Sequence, residues 1–496
     1  MPPPTSRNLA DGLSEQAGLR PAAPALALPG GVLSFAQLEA LVWSGCARLA
    51  ALGIRSGDVV GLACVGEANL IVALLACARI GATAIALPQT LPAIVRSATA
   101  RAAGVRFQLT ERPADSGEQA FDIADLLRNP APPSDVLRAE DPRAPWLIIS
   151  GSGSTGKSKL IPVGHAQFAG RMRIYNTALG IAPGDRVASL FALDYATPKQ
   201  RCLEALFAGA TVVLLDRQRG ELPRRIRETG ITVLYATVLD AERLLQSLPP
   251  DAEQALPSLR CLMVGSSVVG PGLRERIRQR LTGNLFVYYG MNEFGLCSLV
   301  VPGADTLSGS VGQVPPGVSV EVVDGNGQPL PPGSVGHVRG RSPGMCAGYL
   351  DDPEASRRAF RDGWFHPGDL ARFAPDGQLV FCGRSDDMMN MNGINIYPAE
   401  IECVLAEHTA VREVVAFPLN HPIHQDVPAC AVTLRPAAAV DEDELLEFAA
   451  ERLGAHAPRR IVTLPALPRN EQGKLIRGQL MQQVGAALGI PVIPRR

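Results

Sequence analysis

The sequence has no large excess of charge of either sign and few aromatic residues. Among its 496 residues, 47 are Lys or Arg and 48 are Asp or Glu, while Phe, Trp and Tyr together make up 5%. Such a balance provides no strong field for a polyanion, so nucleic acids and anionic membranes are disfavoured as partners. Hydrophobic residues still make up 46%, which is enough for two to four globular domains with large cores.

Motifs for metal, disulfide, export and membrane insertion are also missing. The ten cysteines contain no C-x-x-C pair and form no zinc-ligand pattern with histidine. Residues 1–16 lack the basic and then apolar pattern of a signal peptide. The longest apolar run, Asn69 to Pro88, contains Arg79 and Gly81 and is therefore not a membrane span. We expect a cytoplasmic protein with reduced thiols.

Apolar runs alternate with helical patterns through much of the chain. Between residues 141 and 282, runs such as Leu262–Val264 are separated by amphipathic stretches such as Gln200–Ala208, and residues 30–110 repeat this alternation. The pattern predicts a layered α/β body with two related lobes.

The pattern of apolar runs changes in the last third of the chain. After Gly312, short β-like runs divided by Gly and Pro predict a β-rich subdomain. From about Asp386 a compact α+β unit follows. We therefore expect an N-terminal core of residues 1–385 and a small, mobile C-terminal domain of residues 386–496.

The stretch GSGSTGKS, from Gly151 to Ser158, matches the P-loop pattern G-x-x-x-x-G-K-[ST]. A P-loop opens a helix at its Gly-Lys pair, with the helix N-terminus facing the phosphates. Pro162 and Gly164 would disrupt that helix. The sequence instead predicts a second strand from residue 159 to 163 and a helix that starts near His165, so phosphate binding is compatible with this loop whereas the P-loop fold is not.

The glycine loop is the first of five motifs in a recognisable order. They are Ser152–Lys159, Tyr289–Glu293, Gly363–Asp369, Gly383–Asp387 with Gly393–Ile396 and Glu400–Glu402, and Gly473–Lys474. Together they resemble the motifs of the adenylate-forming superfamily, which includes acyl- and aryl-CoA ligases, luciferases and the adenylation domains of peptide synthetases. The resemblance covers about residues 30 to 480. The run from Ser158 to Pro162 is similar to the aryl-acid-activating branch.

The resemblance implies the chemistry of acid activation. A carboxylate oxygen attacks the α-phosphorus of ATP, giving an acyl-adenylate and pyrophosphate, and a thiol then takes the acyl group. Negative charge develops on the phosphate oxygens, so the site requires cations and hydrogen-bond donors placed in advance.

The resemblance also implies a set of site residues, with Mg²⁺ as the metal. The ATP-binding residues would be Ser152, Gly153, Ser154, Thr155, Gly156, Lys159, Gly265, Tyr289, Gly290, Met291, Asn292, Asp369 and Arg384. Lys159 rather than Lys157 matches the family's lysine. Glu293 would bind Mg²⁺, which prefers one or two carboxylates together with phosphate oxygens.

Four further roles follow from the same resemblance. Asp369 would accept both ribose hydroxyls and Arg384 would donate to the ribose. Lys474 would neutralise the substrate carboxylate during attack, as a catalytic residue beside Glu293, and Asp386 would be the hinge of the C-terminal domain. Taken one at a time, Glu293, Asp369, Arg384 and Lys474 are better explained as a helix-start carboxylate, a turn residue and two surface charges. Their shared order favours the functional interpretation.

The acyl pocket is expected to involve Asp194, Tyr195 and Gly265. Asp194 stands where aryl-acid enzymes carry an asparagine, and a buried carboxylate requires a partner, which points to an ammonium group on the substrate. The alternative is structural: Asp194 caps the helix of residues 198–208, or pairs with Lys199 or Arg201.

The leading expectation is a ligase of secondary metabolism that adenylates an amino-bearing acid. The acid would be a β-amino acid, an amino acid or an aminobenzoate, and the acceptor would be the phosphopantetheine thiol of a carrier protein. The alternative is an aryl- or acyl-CoA ligase that uses free coenzyme A. Two other classes are a P-loop kinase or NTPase and a non-catalytic homologue that serves as a binding module.

Overall fold

The computed structural model describes residues 8–64, 66–110, 120–122, 141–151, 159–216, 221–304, 309–392, 394–421, 425–435, 438–469 and 475–488. Its strands form sheets of eight, six, seven and five strands. The first two sheets carry helices and enclose most of the apolar core, the third is β-rich, and the fourth lies in a small α+β unit. The predicted fold class is therefore confirmed.

The strands are numbered in chain order. They are β1 Pro24–Leu28, β2 Gly31–Ser34, β3 Val59–Ala63, β4 Thr83–Ala86, β5 Phe107–Thr110, β6 Ala120–Asp122, β7 Pro145–Gly151, β8 Lys159–Gly164, β9 Arg186–Ser189, β10 Thr211–Val213, β11 Val233–Thr237, β12 Cys261–Gly265, β13 Leu285–Met291, β14 Gly295–Val300, β15 Ser310–Gly312, β16 Ser319–Val323, β17 Gly336–Arg341, β18 Phe360–Arg361, β19 Trp364–Phe365, β20 Asp369–Phe373, β21 Leu379–Arg384, β22 Met389–Met391, β23 Ile394–Ile396, β24 Val411–His421, β25 Gln425–Leu434 and β26 Arg460–Thr463.

The helices are numbered in the same way. They are α1 Asp11–Leu19, α2 Phe35–Ala51, α3 Glu67–Ile80, α4 Ala93–Ala102, α5 His165–Leu179, α6 Ala196–Phe207, α7 Leu222–Glu228, α8 Val238–Gln246, α9 Pro271–Arg280, α10 Pro353–Ala359, α11 Pro398–Leu405, α12 Glu442–Leu453 and α13 Arg477–Leu488, with a short 3₁₀ turn at Gly454–His456. None of the described helices is long and apolar enough to cross a membrane.

Local sequence signals explain where several helices start. Helix α2 begins after a capping box in which Ser34 and Gln37 satisfy each other's backbone N–H groups. Thr237 and Asp240 form the same arrangement at α8. Both caps follow directly after a strand, so each fixes the turn from sheet to helix.

The two α/β sheets are largely parallel. Their strand orders are β14-β13-β12-β11-β9-β10-β1-β2 and β6-β5-β3-β4-β7-β8, with antiparallel pairs at β14-β13, β1-β2 and β7-β8. The two sheets do not each use one continuous stretch of sequence. Strand β7 pairs with β4 in the six-stranded sheet, while β1 pairs with β10 in the eight-stranded sheet.

The segment after the glycine loop decides against a P-loop fold. Lys159–Gly164 is a strand that runs antiparallel to β7, and α5 begins only at His165. A P-loop would have a helix in place of this strand. The kinase or NTPase alternative is therefore wrong, for the reason that Pro162 and Gly164 had indicated.

The β-rich and C-terminal sheets meet near the predicted hinge. Strand β21 ends at Arg384 and β22 begins at Met389, so Asp386 lies between two sheets. The division into residues 1–385 and 386–496 stays a prediction.

Burial raises the pKa of Cys46 and Cys346 to about 12, and nine of the ten cysteines are buried, as reduced thiols would be.

Candidate functional site

The motif from Tyr289 to Glu293 forms the end of a hairpin. Tyr289, Gly290 and Met291 close strand β13, and Asn292 and Glu293 lie in the turn that leads to β14. The register shifts at Gly290, where an added Cβ would lie 2.6 Å from the carbonyl oxygen of Gly295. Only glycine allows this close approach, which brings the turn tightly over the end of the sheet.

Glu293 is linked to the lysine that follows the glycine loop. The Tyr349 hydroxyl donates to Glu293 Oε1 at 2.9 Å, and Lys159 Nζ lies 4.7 Å from the centroid of the Tyr349 ring. The amide of Leu350 donates to the carbonyl of Leu160 at 2.8 Å, which fixes this segment against β8. Two sequence-predicted residues thus share one aromatic neighbour, and a cation over the ring face is a favourable contact.

Tyr349 is a site residue that sequence reasoning missed. It follows Gly348 in a segment between β17 and α10 to which we had assigned no motif. The only signal was an aromatic residue after a glycine in an otherwise small-residue run, which is weak by itself.

Asp369 lies at the start of β20, directly opposite Arg384 on β21. The Tyr289 hydroxyl donates to Asp369 Oδ2, and Arg384 Nη1 donates to Oδ1 at 3.1 Å. Burial raises the pKa of the Asp369 carboxyl, while these two partners act in the opposite direction. A carboxylate has about four acceptor positions, so these bonds leave capacity for the two ribose hydroxyls that the prediction assigns to it.

The structure adds an ion pair to the predicted hinge. Arg384 Nε donates to Asp386 Oδ1 at 2.9 Å. Asp386 is therefore placed to hold the same guanidinium that contacts Asp369, in addition to its expected role as a pivot.

A test of the hinge must separate the loss of the Arg384–Asp386 ion pair from the effect on the backbone. We expect Asp386→Pro to slow one half-reaction far more than the other, because proline fixes φ and would hold the C-terminal domain in one orientation. Adenylate formation and thiol transfer would be measured separately. Asp386→Ala is the control, because it removes the ion pair and leaves the backbone unrestricted; equal effects of the two variants, or equal slowing of both half-reactions, would refute the hinge.

Gly265, predicted to border both ATP and substrate, ends strand β12. An added Cβ there would overlap the ring of Tyr288, so the absence of a side chain lets this ring lie on the backbone. The next residue, Ser266, has φ +72°, a conformation that favours glycine, and its hydroxyl lies 3.4 Å from that of Tyr288. Such backbone strain is typical of binding sites.

Asp194 lies beside a buried lysine. Lys199 is 4% exposed and its Nζ donates to the Asp194 carbonyl at 3.3 Å. Burial lowers the pKa of Lys199 to about 8, and the negative charge of Asp194 opposes this shift. Helix α6 starts after Tyr195, and Arg201 pairs with Glu204 at 2.7 Å. Helix α6 has no side-chain cap, so of the structural alternatives for Asp194 the charge interaction with Lys199 has the most support, while the hydrogen bond that joins the two residues is accepted by the Asp194 backbone carbonyl.

The remaining predicted site residues lie outside the described residues. They are Ser152, Gly153, Ser154, Thr155 and Gly156 of the glycine loop, and Lys474. Within the described ranges, no group of three or more His, Cys, Asp or Glu side chains could hold a metal ion. The carboxylate of Glu293 is a hard oxygen ligand of the type that Mg²⁺ accepts together with ATP phosphates.

Comparison with known families decides between the interpretations. A model of the AMP-binding enzymes matches residues 13–350, and a model of the AMP-binding enzyme C-terminal domain matches residues 400–474. The chain belongs to the AMP-binding enzyme family. It catalyses ATP-dependent adenylation of a carboxylic acid and is an AMP-forming acid–thiol ligase with an acyl-adenylate intermediate.

Similar proteins match along almost their whole length. The 2-succinylbenzoate–CoA ligase of Bacillus licheniformis is 30% identical over 484 residues, covering 94% of this chain and 98% of the relative. A feruloyl-CoA synthase of Amycolatopsis sp. is 28% identical, covering 95% and 98%. The Bacillus subtilis O-succinylbenzoate coenzyme A synthetase solved with ATP and a magnesium ion has a TM-score of 0.84 and 26% identity, covering 95% and 98%.

Proposed function

We propose that this AMP-binding enzyme is an acyl- or aryl-CoA ligase that uses free coenzyme A. It would adenylate its acid with ATP, release pyrophosphate, and then form a CoA thioester with release of AMP. The alternative given above is thus preferred to the carrier-protein interpretation, because the named relatives are ligases or synthases of CoA esters.

The main structural support for adenylation is that two clusters of side-chain contacts meet at one hairpin, formed by β13 and β14. Tyr289, on the strand, contacts Asp369, and Glu293, in the turn, contacts Tyr349. With the nucleotide bound, Asp369 would hold the ribose, while Glu293 would hold Mg²⁺, which neutralises charge on the phosphates. Lys159 contributes a second positive charge, placed over the ring of the tyrosine that donates to this carboxylate. The retention of Glu293, Asp369 and Lys474 argues against a non-catalytic binding module.

The acid is proposed to be aromatic and without an ammonium group. The motive for an ammonium was a pocket carboxylate that required a cation, and the buried Lys199, whose charge interacts with that of Asp194, would provide one from within the protein. The Tyr288 ring against Gly265 offers a flat apolar surface beside the predicted substrate position. Succinylbenzoate and ferulate, named in the relatives, are acids with aromatic rings.

Asp194→Asn tests this choice of substrate. We expect pyrophosphate exchange to fall by a similar factor with amino-bearing acids and with their des-amino counterparts, because the variant disturbs Lys199 and not a substrate ammonium. The KM for ATP should change little. A selective loss of the amino-bearing acids would instead support Asp194 as an ammonium ligand, for which a loss of about 3–5 kcal/mol is the expected size.

The acceptor is tested with purified enzyme, ATP and a panel of aromatic, aliphatic and amino-bearing acids. Labelled pyrophosphate exchange first identifies the acids that are adenylated. Each accepted acid is then offered to free coenzyme A and, separately, to a phosphopantetheinylated carrier protein, and the thioester is measured by mass spectrometry. Thioester on coenzyme A is the expected result, whereas thioester on the carrier alone would refute the proposal.

A further inference from the structure

Arg171 is a buried cation that the predicted site did not include. It lies on α5, is 1% exposed, and uses all three guanidinium nitrogens as donors. Nε donates to the Gly344 carbonyl at 2.8 Å, Nη2 to the Asn292 carbonyl at 2.8 Å, and Nη1 to Gln200 Oε1 at 2.9 Å. One side chain therefore joins the turn that carries Glu293, the segment near Gly344 and helix α6.

The backbone around Arg171 is packed too closely for other side chains. An added Cβ on Gly344 would overlap the Arg171 side chain, and one on Gly170 would lie 2.7 Å from the Pro343 carbonyl oxygen. Helix α5 thus lies directly against Pro343 and Gly344. A guanidinium held so closely has a fixed position, and so do the carbonyl groups that it binds.

Residues 342–349 are also the segment that holds Glu293. The Cys346 amide donates to the Glu293 carbonyl at 2.8 Å, and Tyr349 donates to the Glu293 carboxylate. The Ser342 hydroxyl donates to the Phe294 carbonyl at 3.0 Å. Arg171 is bonded to both partners of this interface, the turn at Asn292 and the segment at Gly344, so displacement of the guanidinium would move them relative to each other.

We propose that Arg171 is a positioning residue that aligns the Glu293 carboxylate for Mg²⁺. The proposal rests on the proposed function, in which Glu293 binds the Mg²⁺ that accompanies ATP. In this role Arg171 acts through protein groups and not through the nucleotide or the acid, because each of its three guanidinium nitrogens donates to a protein acceptor. Its bond to Gln200 in addition ties the alignment to α6, the helix that follows Asp194.

We expect the loss of Arg171 to have an effect of the size known for other groups that orient a metal ligand without touching the metal. Loss of a group that orients a metal ligand typically lowers metal affinity or activity by about tenfold to a hundredfold. Arg171→Lys keeps the positive charge and most of the stem, but an ammonium is a compact donor that does not reproduce the planar fork. The variant therefore removes the geometry more than the charge.

The test is the Mg²⁺ dependence of acid-dependent pyrophosphate exchange by full-length Arg171→Lys. We expect the Mg²⁺ concentration at half-maximal rate to rise about tenfold or more and kcat to fall, with little change in the KM for the acid. Arg79→Lys is the matched control. Arg79 is buried on α3, donates to the Ala10 carbonyl at 3.1 Å and pairs with Glu39, away from the site.

Two outcomes would overturn the proposal. One is an Arg171→Lys enzyme that loses thermal stability as Arg79→Lys does but keeps the Mg²⁺ dependence of the unmodified protein. If Arg171→Lys fails to fold, Gly344→Ala serves instead, because its added methyl group would displace the Arg171 side chain without removing it. The second outcome that would overturn the proposal is a Gly344→Ala enzyme with an unchanged Mg²⁺ dependence. Glu293→Gln is measured alongside, and an unchanged Mg²⁺ dependence in that variant would refute the proposed role of Glu293 itself.

Discussion

Glu293→Gln is expected to lower the rate of acid-dependent pyrophosphate exchange by about a hundredfold or more. Glutamine keeps the size of the side chain and an oxygen that can accept from Tyr349, but it lacks the charge that binds Mg²⁺. The loss should be partly recovered at high Mg²⁺ concentration, because metal binding rather than folding is impaired. Steady-state exchange measured across a Mg²⁺ series checks this.

A surface glutamate provides the control for this substitution. Glu354 lies on α10 and pairs with Arg358 at 2.9 Å, with both side chains largely exposed. Glu354→Gln should leave the Mg²⁺ dependence and the exchange rate unchanged, since exposed ion pairs contribute little. Equal behaviour of the two variants would mean that Glu293 is not a metal ligand.

Lys474→Ala is expected to slow adenylate formation by about a hundredfold or more while thiol transfer stays near normal. The prediction follows from its place in the Gly473–Lys474 motif, where its charge would stabilise the attacking carboxylate. Loss of one preorganised donor costs about 3–4 kcal/mol in the transition state, which corresponds to that rate factor. Single-turnover assays starting from ATP and from preformed acyl-adenylate separate the two steps.

The matched control is Lys157→Ala, at a lysine that the family resemblance leaves without a role. It should retain nearly full activity in both assays. If Lys474→Ala slowed both half-reactions equally, its proposed restriction to adenylation would be wrong.

Local signals in the sequence predicted those parts of the fold that depend on neighbouring residues. Pro162 and Gly164 predicted a strand in place of the P-loop helix, and His165 begins α5 in the structure. Proline and glycine act on their own turn of backbone, so their effect does not depend on the rest of the fold. The order of the motifs likewise predicted that Tyr289, Glu293 and Asp369 belong together.

Contacts between residues far apart in the chain could not be predicted from the sequence. The bond from Arg171 to Gly344 joins residues 173 positions apart, and neither residue lies in a recognised motif. Tyr349 was missed for the same reason, because its place in the site depends on contacts with Glu293 and Lys159, which lie elsewhere in the chain. The lobe to which β7 belongs depended on its pairing with β4, which no local pattern encodes.

The ambiguity at Asp194 has a related cause. The sequence showed an acidic residue five positions before a lysine, but burial decides whether a lysine is a solvated surface charge or a partner within the core. Lys199 is 4% exposed, and its charge interacts with that of Asp194, which the spacing in the sequence did not show.

The most direct test of the central claim follows oxygen from the acid into the nucleotide. An accepted acid labelled with heavy oxygen in its carboxylate is incubated with the enzyme, ATP, Mg²⁺ and coenzyme A, and the products are analysed by mass spectrometry. If the carboxylate attacks the α-phosphorus and the thiol then displaces AMP, one labelled oxygen appears in AMP and the acyl group appears on coenzyme A. Label in inorganic phosphate with formation of ADP, or a CoA thioester with unlabelled AMP, would contradict the account.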